Sequence, residues 1–431
     1  MKAEELCARP LEERPASDPA RGARAFWISM RVHFALVVVL TLVSLSTGAV
    51  LQWEHLGPDA ELSPATFQDV YTIHSIAIWG SVLPLGAGVL SAIALPRALE
   101  LRTLSGWWLV PVSVVAWVIG LALLLASHPS RWSHALMVAG LGCLGLAIVG
   151  TLATHRARIA KSPLLVAGLG AAAVLQLLLC LQVIARLFAA SLGIAMPSGG
   201  LANLLLLSVP VVMGLAAHAM ERHVGRPIPN RALAGAAMIA PTLMPWLPKA
   251  AAVSVVASLS VLLFTLVLLL HLRNASRRLH AGAIGPIAIA GCVALRIMTH
   301  AYLRSGAPSF LRDTYMLVAP EHASALALFL GLVLVVANEP ELLANRTPRE
   351  RLLRTGVSML AGGFGLACSM MLVVGWQGMP RRYHLYVPAF TTTFRVMATF
   401  AAIGLVGAVL VGLAFAGSRR AARTPSRQGL S

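Results

Sequence analysis

The chain has 431 residues, of which 58% are hydrophobic and only 12% charged, with a mean hydropathy of +0.79. Soluble domains carry roughly twice that share of charge, so the composition excludes a large water-soluble catalytic domain and describes an all-α polytopic membrane protein. The net charge of +18 is spread over many short loops, which argues against a nucleic-acid partner and for membrane lipid as the surroundings.

Along the chain, apolar stretches bounded by charges, Gly or Pro fall near 32–52, 70–95, 107–127, 132–153, 163–190, 198–220, 232–248, 250–272, 281–301, 315–338, 355–376 and 392–417. A span needs about 20 residues, so about twelve transmembrane helices are expected, with eleven or thirteen as neighbouring counts. Pro241, Pro245 and Pro248 beside Trp246 and Lys249 predict a tight turn between two short-linked helices. The first apolar run follows a long polar segment without a small-residue cleavage site, so it is read as a retained span. The domain reading is therefore an N-terminal segment 1–26, a membrane domain 27–417 and a basic tail 418–431. The five cysteines are far apart and form neither a metal motif nor a disulfide framework.

Placing the N-terminus in the cytoplasm puts 25 of the 34 Lys and Arg on the inner side and nine on the outer side. Both termini are then cytoplasmic, and a bacterial cytoplasmic membrane is the expected location. The first outer loop, with Glu54, Asp59, Glu61 and Asp69, agrees, because it holds no basic residue.

Most of the thirteen histidines fall at helix ends or in loops. His74 and His322 differ. His74 lies about one turn into the second span and His322 about two turns into the tenth, and both spans run inward in this topology. The two imidazoles therefore sit at similar depth and could share one ligand, such as a metal in a macrocycle. Each could equally bond a neighbouring hydroxyl or carbonyl. Arg131, Arg186, Arg296, Arg304, Arg312, Arg381, Arg382 and Arg395 gather at or near the outer helix ends. Arg381 and Arg382 offer forked donors suited to carboxylates, and lipid phosphate would serve them too.

Gly378-Met379-Pro380-Arg381-Arg382-Tyr383 before the final span resembles a segment of subunit I of the haem-copper oxidases, in which an arginine pair contacts haem propionates. Asp313-Thr314-Tyr315-Met316-Leu317-Val318-Ala319 resembles the lead-in to that family's tenth helix. His74 with Leu83-Pro84-Leu85-Gly86 and Gly88 resembles its second. The resemblance implies that His74 and His322 are the axial ligands of one low-spin haem and that Arg381 and Arg382 hold its propionates.

The chain departs from the family elsewhere. Pro320 stands where the high-spin haem ligand is expected, the stretch matching the sixth-helix copper-ligand run is near Gly200-Leu201-Ala202-Asn203-Leu204-Leu205, and the seventh-helix pair falls on Pro248-Lys249. Copper is therefore not expected. Trp53 stands near the place of an arginine that polarises a haem formyl group, which points to a b-type haem. Glu321, an acid within a span, is a candidate proton carrier, and the simpler expectation is that it pairs with Arg296 or Arg312. His218, His223, His271 and His280 lie toward the cytoplasmic side, while His134 and His300 lie toward the outer side and His384 follows the arginine pair.

Three functions compete. The first is a membrane haem protein that relays single electrons, with respiratory-complex subunits and a quinol or cytochrome c as partners, and with oxygen reduction by this chain alone not expected. The second is a terminal oxidase or nitric oxide reductase subunit with a rearranged metal site. The third is a haem-free scaffold, assembly factor or transporter on the same fold; a transporter would show broken helices around a converging polar site.

Overall fold

In lipid the backbone has no water to bond, so apolar runs of this length satisfy their own N–H and C=O groups as helices. A computed structural model describes residues 19–56, 62–126, 131–191, 208–243, 251–273, 281–338, 346–381, 387–417 and 419–420. Its helices are α1 (Pro19–Trp53), α2 (Pro64–Ala98), α3 (Leu109–Ala126), α4 (Arg131–Thr154), α5 (Pro163–Ser191) and α6 (Ser208–Val224), followed by α7 (Arg231–Leu243), α8 (Ala251–Arg273), α9 (Ala281–Arg304), α10 (Tyr315–Asn338), α11 (Glu350–Trp376) and α12 (Thr391–Ala416). Each of the twelve apolar stretches read from the sequence carries one of them. Among the described residues ten are long and apolar enough to cross a membrane, while α6 and α7 are shorter. Among the described residues one two-stranded antiparallel ladder, two residues long on each side, pairs Arg346–Thr347 with Arg419–Arg420, and an isolated bridge joins Thr314 to Pro380.

Several boundaries differ from the sequence reading. Helix α1 begins at Pro19, inside what was read as the N-terminal segment. Helix α2 begins six residues before the apolar run, because Ser63 caps it through its hydroxyl to the Thr66 N–H and Pro64 takes the first turn. Pro241 lies within α7 instead of ending it, and residues 244–250, with Pro245 and Pro248, lie outside the described ones.

Within α2, Ile76–Val82 is a π-helical turn. Pro84 supplies the reason: it has no N–H for the carbonyl four residues back, and the Leu83 N–H reaches Ile78 O, five residues back. His74 lies just before this turn.

Helices that follow one another mostly pack side by side, as short connections require. The closest approach joins α11 and α12, where Gly356 and Gly363 face Gly407 and Gly404 with backbone in contact. Helix α2 is the centre: its second half lies against α4, α5, α6 and α10, and its first half against α1. In its most apolar window 93% of residues are buried, and in that of α10 72%, the two highest values among the ten long helices. At Gly86 a Cβ would strike Leu328, so this glycine lets α2 and α10 approach.

Candidate functional site

Helices α2 and α10 carry His74 and His322, and the fold brings the two rings together. Their centroids are 5.6 Å apart and their planes 24° from parallel. His74 is 9% exposed. Helix α2 supplies it from the turn facing α1, whose Ser44, Thr47 and Gly48 form its bed. The Nδ1–H of His74 donates to Ser44 O at 2.9 Å, with Thr47 Oγ1 at 3.3 Å. Gly48 is required there, since a Cβ would lie 2.8 Å from His74 Cε1. On α10, the Nδ1–H of His322 donates to Val318 O at 3.0 Å, one turn back.

A carbonyl only accepts, so both rings carry their proton on Nδ1 and leave a lone pair on Nε2. Among the described residues no protein group bonds either Nε2. The expectation that each histidine would bond a neighbouring carbonyl is therefore met by one nitrogen of each ring, and the other stays available. This is the arrangement a metal-bound histidine needs: one nitrogen fixed by an outer acceptor, the other directed at the metal. The residues present fit a bis-histidine iron site.

The motif around Arg381 is held to the start of α10. Gly378 adopts φ +92, a left-handed conformation natural to glycine, and turns the chain after α11. The Tyr315 N–H then donates to Met379 O at 3.1 Å and the Arg381 N–H to Asp313 O at 3.0 Å. The guanidinium of Arg381 donates from Nε to Asp313 Oδ1 at 2.7 Å, an ion pair the sequence reading did not anticipate. This pair stands beside Tyr315, seven residues and about 10 Å of helix rise before His322. Arg382 and His384 lie outside the described residues, as do Gly200–Leu205, Pro248, Lys249 and His280.

Other expectations resolve individually. Arg296, 1% exposed, donates to Pro320 O at 3.3 Å and feels the Glu321 carboxylate, whereas Arg312 Nε bonds Leu303 O. Arg296 therefore lies within the electrostatic reach of Glu321. Trp53, at the end of α1, is 64% exposed. His134 is exposed, and His271 Nε2 is tied to Arg226 O at 3.2 Å. Among the described residues no three His, Cys, Asp or Glu side chains gather to hold a metal ion.

The sequence reading missed a buried polar group beyond the end of α1. Glu54 and His55 are 0% and 2% exposed. The His55 ring stacks on Phe394 at 4.5 Å, and its Nε2 lies 3.4 Å from Tyr315 Oη. Burial pushes His55 down to a pKa of about 4. The only signal in the sequence is a charged pair, Glu54-His55, directly after a span.

No family model matches the chain, and no curated protein matches it. A solved structure described as a cryo-EM structure of a heme-copper terminal oxidase dimer is similar to it, with a TM-score of 0.65, 14% sequence identity, and coverage of 91% of this chain and 84% of that one. At this identity the likeness is one of fold. The chain is a helical membrane protein with a heme-copper-oxidase-like fold.

Proposed function

We propose that the protein is a membrane electron carrier in which His74 and His322 are the two axial ligands of one low-spin haem. The observation that carries this reading is the disposition of the two rings: close together on α2 and α10, each anchored through Nδ1, each with Nε2 unclaimed among the described residues. When bound, the haem supplies a reversible one-electron iron couple. The protein's part would be to offer His74 and His322 to the iron, each imidazole held by its own backbone acceptor. Ser44 O and Val318 O hold the imidazoles in one tautomer and raise their donor strength. Asp313 takes the Nε–H of Arg381 and leaves its terminal N–H groups for a propionate, with Arg382 as the proposed second donor. A b-type haem is proposed on the sequence resemblance alone. The proposed partners are other respiratory subunits, with a quinol or cytochrome c as donor.

The test is spectroscopic. Purified protein is expected to contain one haem and no copper, with sharp reduced-minus-oxidised bands that His322→Ala abolishes and His218→Ala preserves. Unaltered bands in His322→Ala would remove the ligand. A second reading, an active terminal oxidase, is favoured by the likeness to a terminal-oxidase structure. It requires two haems with copper and rapid carbon monoxide binding by the reduced protein.

A further inference from the structure

At the end of the bundle opposite the histidine pair, where α2 and α10 finish, the helices part around a cavity of about 470 Å³ between α2, α5, α6 and α10. Leu334 on its wall is twelve residues beyond His322, about 18 Å along the helix. The cavity therefore belongs to a different site.

Its lining divides by chemistry. Leu165, Leu215, Leu334 and Val335 form an apolar wall, while Arg97, Glu100, Ser162, His218 and Arg222 stand at the polar rim. Glu100 is the one carboxylate against two arginines and a histidine. The acid beside Arg222 does not offset it, because Glu221 Oε1 accepts from the Ile228 N–H at 2.9 Å and from Arg231 Nε at 3.1 Å. Arg222 is exposed and makes no ion pair among the described residues. The carbonyls ending α2, which would repel an anion, are covered: Arg158 donates to Leu99 O and Glu100 O at 3.2 and 3.1 Å.

Depth is given by tryptophan. Arg97 lies over the Trp27 ring at 5.2 Å, and Trp108 nearby in sequence is 58% exposed, as the headgroup level of a bilayer favours. A second cavity of about 500 Å³ shares Arg97 and Glu100 and adds Arg102 and Trp27, so the basic rim continues around the end of α2.

We propose that this cavity binds an anionic phospholipid, its phosphate at Arg222, His218 and Ser162 and an acyl chain along the leucine wall. A free anion has no use for the apolar wall, and a zwitterionic lipid would bring its own cation to a rim that already holds Arg97, Arg222 and His218. The site is independent of what the histidine pair holds.

The whole protein in detergent is titrated with phosphatidylglycerol or with phosphatidylcholine of the same chains, and bound lipid is counted by native mass spectrometry. Phosphatidylglycerol is expected to bind about fivefold more tightly or better, as one arginine near a lipid surface allows. Arg222→Gln removes most of that preference, and Arg351→Gln, an exposed arginine on α11, leaves it. His218→Gln tests the rim a second time if Arg222→Gln does not fold. Equal binding of the two lipids, or a preference unmoved by both rim variants, overturns the proposal. Displacement of the lipid by millimolar inorganic phosphate overturns the lipid assignment and gives the rim to a soluble anion.

Discussion

Asp313 and Arg381 hold each other twice, once through side chains at 2.7 Å and once through backbone, the Arg381 N–H donating to Asp313 O at 3.0 Å. The Asp313 side chain is 76% exposed and that of Arg381 28%. An ion pair this wet contributes about 0.2–1 kcal/mol, so its service is to aim the guanidinium more than to stabilise the fold. Asp313→Asn is expected to change thermal stability by about 1 kcal/mol or less and to leave haem content unchanged, whereas Arg381→Met lowers haem content. Equal haem content in both variants would separate Arg381 from the cofactor.

The bed of His74 allows a steric test. Gly48→Ala places a methyl 2.8 Å from His74 Cε1, and the ring must move. Overpacking of this kind costs about 1–3 kcal/mol, which a twelve-helix bundle absorbs without losing its fold. The expected readout is a loss of low-spin character in the absorption and electron paramagnetic resonance spectra. Unchanged spectra would place the ligand elsewhere.

Arg296 is buried and Glu321 half-buried on the next helix. A pairing of the two charges makes each single removal costly, because the other is left without it. Arg296→Met and Glu321→Gln are each expected to destabilise strongly, while the double variant costs much less than the sum, as a double-mutant cycle in thermal unfolding would measure. Additive costs would show that the two charges act apart.

His55 makes stability depend on pH. Its folded value is lowered to about 4 from 6.5 by burial, so between those values the unfolded chain binds a proton that the folded chain refuses. This contribution is intact above pH 6.5 and is lost as pH falls toward 4, with a slope of at most about 1.4 kcal/mol per pH unit. His55→Gln is expected to flatten the melting-temperature profile in that window. An unchanged slope would assign the acid sensitivity to other groups.

How much of this was legible depends on which atoms carry the interaction. The twelve apolar runs are a solvent-transfer property of side chains, so the helices could be read from composition and order. The start of α2 was missed because Thr66, Gln68 and Asp69 are polar, although Ser63-Pro64 is a recognisable cap. His74 and His322 could be paired through topology and resemblance. Their anchors could not, because Ser44 O and Val318 O are backbone atoms that every residue possesses. Arg381 stood out in the sequence, but its carboxylate partner, 68 positions earlier, did not.

The π turn at Ile76–Val82 has a bearing on how this chain can change over time. One residue more per turn shifts everything before it by about 100° relative to everything after it, so the imidazole of His74 and the packed half from Leu83 to Ala98 are set in separate angular frames. Substitutions that re-seat the lower half among α4, α5, α6 and α10 need not re-aim the ring. A one-residue deletion in the turn would swing it away from His322 while sparing the lower core.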